Sequence, residues 1–580
     1  MRVNDNRNMI LAIVLSMFVL IGWTFISGHF LPVAPKPVAA AQQEQQSAAP
    51  QSQAGPVADR PTRIRPLAAV LGESPRLPIR TPKLVGSINL KGARIDDIML
   101  PTYAETIAKH SPAVRLYSPS GTADSYFASF GWVGQGLKAP NEDSVWTAQG
   151  SALTPTSPVV LTWNNNAGQT FEIRLTVDEN YMITAAQKVS NGGPASVGVK
   201  PYALISRKGH SKDLSTWTIH TGPIGVYDKA ANYDVDFANL DGQEPGFFTK
   251  FFGTKAVAGD NRYTIAGGWV GFTDKYWLSA LVPDQKTSVT GKFQGRDGQY
   301  QADISPTETI LPAGRANTQT TRLFTGAKEV NTLQAYEGAG ILLFTRAIDW
   351  GWFEIIEKPI FYLLDWLFHM VGNFGVAIIL LTIIVRGAMF PIAQRQFVSM
   401  GKMRTLQPRM KALQEQHKND KAKLQQEMMA MYQREKINPL GGCLPIFLQI
   451  PIFFALYKVL MLSTEMRHQP FVFWIKDLSA PDPLTPVNLF GLLPFTPPHF
   501  FAIGVLPILL GITMYVQQKL NPAPMDETQK QVFAIMPWMF MFIMAPFAAG
   551  LQLYWVVSNL LTIGQQKWLY SRDPSLKPAK

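Results

Sequence analysis

Arg386 carries a fixed positive charge inside an apolar run, Asn373 to Pro391. Four residues separate it from Pro391, which places the charge roughly 8 Å inside the run at about 1.5 Å per residue. A guanidinium at that depth must face protein, a partner or water, and is a functional candidate for that reason. The competing reading is an arginine that snorkels to the nearby interface. Its chemistry is recognition rather than bond-making, since it stays ionised and its planar fork of donors matches a carboxylate. Thr382 lies four residues earlier, on the same helix face. Gln449 and Gln517 sit in or at the end of two later apolar runs. In the last run Gln552, Trp555, Asn559, Thr562 and Gln566 are spaced 3-4-3-4 and share one face. Ordinary interhelical hydrogen bonding explains such a stripe. Taken with a buried arginine, polar groups on several spans favour a wet cavity.

Little else in the chain suggests chemistry. Its one cysteine, Cys443, excludes an intrachain disulfide and a cysteine-based metal site. There is no nucleotide-binding motif, and no cofactor is expected. His110, His210 and His220 lie in a region without a carboxylate placed beside them by spacing, so a sugar-active site is the weaker reading there. A folded spacer or docking domain is the plainer one.

The elements that must position Arg386 follow from texture along the 580 residues. Met9 to Ile26 is apolar with Arg2 and Arg7 before it; Ala39-Ala40-Ala41 lies more than ten residues beyond. That pattern predicts an uncleaved signal anchor over 1–30 with a cytoplasmic N-terminus, against the rival of a cleaved signal peptide. Residues 31–66, rich in Ala, Gln, Pro and Ser, read as a disordered tether. Over 67–340 short β-rich runs such as Phe171–Val177 recur between turn signals, Asn191-Gly192-Gly193 and Arg296-Asp297-Gly298 among them. They predict an all-β sandwich outside the cytoplasm.

Residues 341–360 alternate Ile341, Leu342, Phe344, Ile348, Trp352, Ile355 and Ile356 with charges, which predicts an amphipathic helix lying in the membrane interface. Residues 391–437 carry ten Lys/Arg against four Asp/Glu and read as a cytoplasmic helical hairpin. Its seam is Met403, Leu406, Met410 and Leu413 against Leu424, Met428 and Met431. Further apolar runs follow at Leu444–Leu462, where Lys458 is placed to snorkel, and at Phe500–Val516. Val532 to Ile563 would be roughly 48 Å long as one helix against a core of about 30 Å, so it must fold as two, turning at Ala545–Gly550. The sum is a multi-pass α-helical membrane protein of six transmembrane helices. It has a large all-β sandwich domain outside the cytoplasm, a cytoplasmic helical hairpin, and both termini in the cytoplasm.

Several of these stretches carry a family resemblance. Ile384-Val385-Arg386 with Pro391, Met403–Pro408, Gln426–Ala430, Asn438-Pro439-Leu440-Gly441-Gly442-Cys443 and Gln449–Phe453 resemble the YidC/Oxa/Alb family of membrane protein insertases over about Phe361 to Tyr570. The architecture before them is similar to the family's Gram-negative form, whose periplasmic domain is a sandwich of galactose-mutarotase-like shape. The resemblance implies a bacterial inner-membrane protein, not an enzyme. It would insert and help fold inner-membrane proteins through a hydrophilic groove open to lipid, alone or with the Sec translocon. It implies a substrate groove of Arg386, Thr382, Gln449, Gln517 and the last-span aromatic, which falls on Trp555 with Tyr554 beside it. Implied partners are nascent inner-membrane proteins, the Sec translocon and its accessory subunits, the ribosome and membrane lipids, with no sequence-specific nucleic acid. A polytopic solute or ion transporter is the alternative; it would want an intramembrane carboxylate or histidine, which the run centres lack.

Overall fold

The computed structural model describes residues 63–212, 219–227, 229–241, 261–417, 420–435, 444–490, 492–493, 502–520 and 527–572. The expected signal anchor, all of the tether but 63–66, and the Asn438–Cys443 stretch lie outside them.

Alternation builds the first half. In the strand Gln169–Val177, Phe171, Ile173, Leu175 and Val177 are buried while the residues between them are more exposed. It pairs antiparallel with Met182–Asn191, and the facing Glu172 and Lys188 form a cross-strand ion pair at 3.8 Å. Two sheets result, of ten and nine strands, and every strand pairing within them is antiparallel. Trp132, Trp269, Phe171, Phe272, Phe293 and Phe324 fill the space between them. The turn signals divide. Asp297 and Gly298, at φ 53° and 70°, close a two-residue hairpin between Ser288–Arg296 and Gln299–Ser305. Asn191-Gly192-Gly193 instead leads the chain from one sheet to the other, and the Asn191 amide holds that crossing by donating to the Ala195 and Leu311 carbonyls.

After the sandwich, α1 (Val330–Gly338) leads to the helical part. The amphipathic helix expected over 341–360 takes another form. Phe344–Ala347 and Gly351–Phe353 are single 3-10 turns, and the long helix α2 runs Glu354–Val371. Positive φ at Gly340, Leu343 and Gly351 interrupts the helix, and the sandwich supplies an apolar site for its residues. Ile341, Phe344, Ile348 and Trp350 are all buried, with Phe344 edge-on to Trp269 and Phe324. The exposed apolar stripe sits further on, on α2, where Ile355, Tyr362, Trp366 and Met370 follow at helical spacing.

The remaining helices are α3 (Phe374–Ala388), α4 (Phe390–Gln416), α5 (Lys421–Arg434), α6 (Leu444–Leu462), α7 (Val505–Leu520), α8 (Glu527–Met544) and α9 (Ala549–Arg572). Helix α9 is the hub: α3, α4, α6 and α7 all pack on it. Among the described residues no single helix is both long and apolar enough to cross a membrane; α3 with the start of α4 passes as a pair bent by 60°. Helices α4 and α5 meet along a thin seam of Leu406, Met410 and Tyr432, with Met428 and Met431 packed against it.

The two halves are joined by polar contacts. Glu465, just beyond α6, accepts from the Val330 amide at 3.3 Å, and Arg467 donates to the Ala104 carbonyl at 2.7 Å while lying over Trp277. Glu329 accepts hydrogen bonds from Lys83, Tyr103, Tyr181 and Thr332. Burial alone would raise its carboxyl, but those donors outweigh burial and hold it below its ordinary value. Lys458 does not snorkel. It is buried near the C-terminal end of α6 and donates to the Asp349 carbonyl at 2.7 Å. Gly351 makes room for it, since a Cβ there would lie 2.6 Å from the Lys458 amine.

Candidate functional site: a polar cluster around Arg386

Three helices bring polar side chains to one place. Helix α3 starts at Asn373, whose side chain accepts from the Val376 amide and caps it. One strongly apolar stretch later it delivers Arg386 to the flank of α9. There Arg386 Nε donates to Ser558 Oγ at 2.8 Å, and Nη2 donates to the same oxygen. Tyr554 stands one turn before Ser558 and is the titratable side chain that faces the guanidinium. From α6, Gln449 Nε2 donates to the Tyr554 hydroxyl at 2.6 Å. Gln449 Oε1 is buried without a hydrogen-bond partner.

The inventory of this cluster is unbalanced. A guanidinium has five N–H donors, and its hydrogen bonds here go to a single hydroxyl. Among the described residues no carboxylate pairs with it. Two arginines of the sandwich are paired instead, Arg207 with Asp274 at 3.1 Å and Arg76 with Asp96. An arginine left in this state accepts an anionic or carbonyl group that arrives from outside, or is met by water.

The other expected groove residues fall elsewhere. Thr382 is fully buried and returns its hydroxyl to the Ile378 carbonyl of its own helix at 2.6 Å. Trp555 packs between Phe453 and Phe540, with ring centroids 4.7 and 4.8 Å away, on the apolar side of α9. Tyr554, rather than Trp555, therefore belongs to the polar cluster. Gln517 is half-buried near the end of α7 and makes no described contact with it. The stripe on α9 works as a seam. Asn559 donates to Thr513 Oγ1 at 3.1 Å and Gln566 to the Leu520 carbonyl at 3.1 Å, while Gln552 closes the turn after α8 by bonding the Met544 and Phe547 carbonyls. Ser558 escaped the sequence reading. A serine in an apolar helix is unremarkable by type, and the one available signal was its place four residues after Tyr554.

Comparison with known proteins fits this architecture. A family model described as the 60Kd inner membrane protein matches residues 366–575. A second, described as the YidC periplasmic domain, matches residues 76–363. The chain is 47% identical to the "Membrane protein insertase YidC" of Zymomonas mobilis subsp. mobilis, over 98% of its own length and 96% of that protein. It is 45% identical to the protein of the same name from Methylorubrum extorquens, again over 98% and 96%. The chain belongs to the YidC family of membrane protein insertases. That is a family of inner-membrane insertases rather than enzymes, and its domain division runs through α2, between the two matched regions. A solved structure described as an active YidC insertase aligns over 86% of the chain and 96% of its own length at 15% identity. Its TM-score of 0.37 is too low to bear on the fold.

Proposed function

We propose that the chain inserts inner-membrane proteins by receiving the polar part of a client at the recess formed by Arg386, Ser558, Tyr554 and Gln449. The observation that supports this is the guanidinium whose described hydrogen bonds all go to one hydroxyl. A recess that supplies donors spares the client's polar segment much of its desolvation cost while its apolar segment partitions into lipid. Arg386 offers an always-ionised group to acidic client residues. The driving force is partitioning, helped by the membrane potential.

In this reading α3, α6, α7, α8 and α9 cross the membrane, with the signal anchor as the sixth span. Helices α4 and α5 then form the cytoplasmic hairpin, and the sandwich is periplasmic. The basic hairpin is the contact for a ribosome or anionic lipid, and the sandwich serves as a spacer and docking body, with the Sec translocon as its partner. The transporter reading has no observation in its favour, since the cluster holds no carboxylate or histidine to couple an ion.

The deciding experiment is reconstitution in proteoliposomes with one purified client carrying an acidic residue in its translocated segment. Insertion by the wild-type chain and its loss in Arg386→Ala supports the recess. Equal rates for both, or solute uptake without insertion, would sink it.

A further inference from the structure

Between α6 and α7 the described residues, 463–490, 492–493 and 502–504, are tied together by side-chain hydrogen bonds. Asp482 braces this loop, accepting from the Trp474 indole at 3.0 Å and from the Leu484 and Leu506 amides at 3.0 and 2.8 Å. The Asn373 side chain ties the start of α3 to the Phe471 carbonyl at 3.1 Å. On this rigid base the loop turns apolar side chains outward. Phe473 is 89% exposed and Leu492 81%, and Leu489 and Phe490 are exposed beside them. Phe473, Leu489 and Phe490 hold φ values of 56°, 50° and 58°. Bulky residues adopt that conformation rarely, and it persists only where surrounding structure imposes it. No charged residue occurs from Pro483 to Pro498. A soluble surface would not hold its largest side chains in strained positions facing water.

We propose that this loop is a membrane anchor, with Phe473, Leu489, Phe490 and Leu492 seated at the boundary of headgroups and acyl chains in the outer leaflet. The occupant is lipid rather than a protein partner because the loop leads in the chain to α7, whose Leu509, Ile512 and Val516 are exposed as well. The anchor fixes the outer ends of α6 and α7, and through Phe471 the start of α3, against the bilayer. The inference rests on the topology proposed above, which puts the loop on the outer side.

The test uses the full chain with Cys443 replaced, carrying Phe473→Cys, Leu492→Cys or Asn166→Cys labelled with an environment-sensitive fluorophore in proteoliposomes. Asn166 is the control, exposed at the end of its strand pair opposite Tyr181. Labels at 473 and 492 should lose most of their emission to lipids brominated near the headgroup and little to aqueous iodide. The label at 166 should do the reverse. Quenching at 473 and 492 by iodide alone, or protection only when a client is added, would overturn the anchor. Labelling of Asn166→Cys by a membrane-impermeant reagent on spheroplasts tests the topology separately, so its failure is not confused with failure of the anchor.

Discussion

Glu329 and Arg386 are both partly buried charges, and they are treated in opposite ways. Glu329 sits where the sandwich meets α1 and receives one cation and three hydroxyls. Arg386 sits between α3 and α9 and has one hydroxyl, with no described carboxylate. A burial that is fully answered within the chain contributes to the fold, while one left open is a place for something that comes and goes. The same sorting separates Arg207 and Arg76, both ion-paired within the sandwich, from Arg386.

The sharpest test of this contrast is Glu329→Ala. It leaves the Lys83 amine and two tyrosine hydroxyls without their shared acceptor. Removing one partner of a buried ion pair is costly, and a loss of about 3 kcal/mol is expected in thermal melting of the purified protein. Insertion at a temperature where the variant remains folded should be unchanged. A folded Glu329→Ala that fails to insert would show that the junction is functional, and the contrast would collapse.

Arg386→Ala should do the opposite. Thermal stability should stay within about 0.5 kcal/mol, since the side chain answers little in the fold. Insertion of a client with an acidic translocated residue should slow about tenfold or more, as expected for loss of a charge-assisted hydrogen bond. Arg386→Lys should recover much of the rate if charge alone matters, and little if the planar fork is needed. A variant that inserts normally but melts early would make Arg386 a structural residue.

Ser558→Ala gives a smaller effect of the same kind. The hydroxyl orients the guanidinium without supplying its charge. A drop of about threefold in client insertion rate is expected, from the loss of one hydrogen bond worth under about 1 kcal/mol. In the double variant Ser558→Ala with Arg386→Ala that drop should vanish, because the two residues act through one contact. Additive losses would place Ser558 on a separate path.

These contrasts also mark what could be read from residues alone. Alternation along Phe171–Val177 and the Leu/Met seam at Leu406, Met410, Met428 and Met431 were legible, because each pattern reports burial of a neighbouring face. That Arg386 is a candidate was legible from its type, while its partner Ser558 was not. The residues 341–353 were not: their apolar spacing suits a helix, and only the finished sandwich shows Phe344 and Trp350 a place to be buried. Thr382 and Ser558 mislead in opposite directions, since a hydroxyl's partner is chosen among several within reach and spacing does not say which. Lys458 looked free to snorkel because Asp349, more than a hundred residues earlier, was invisible as its partner.

Glu357 is a second charge left open, and it sharpens the contrast through pH. It lies in the first turn of α2, almost fully buried, with Oε2 lacking a hydrogen-bond partner. Burial, with Asp349 and Glu354 nearby, pushes its carboxyl up to about 8; Lys458 opposes this but bonds Asp349 instead. The signs of the two glutamates therefore differ. Glu329, held below its ordinary value, contributes stability at neutral pH that is lost as pH falls through its lowered value. Glu357 is tolerated when protonated, so its contribution is present below the ordinary carboxylate value and is lost as pH rises through about 8. Glu357→Gln removes that loss. It should melt like wild type at acid pH and become modestly more stable relative to it as pH rises towards and past 8, whereas Glu329→Gln should fall furthest behind wild type at neutral pH and converge with it in acid. Parallel melting profiles for wild type and Glu357→Gln across pH 5–9 would mean that Glu357 is answered after all, by water or lipid, and that Arg386 is then the one open charge in this comparison.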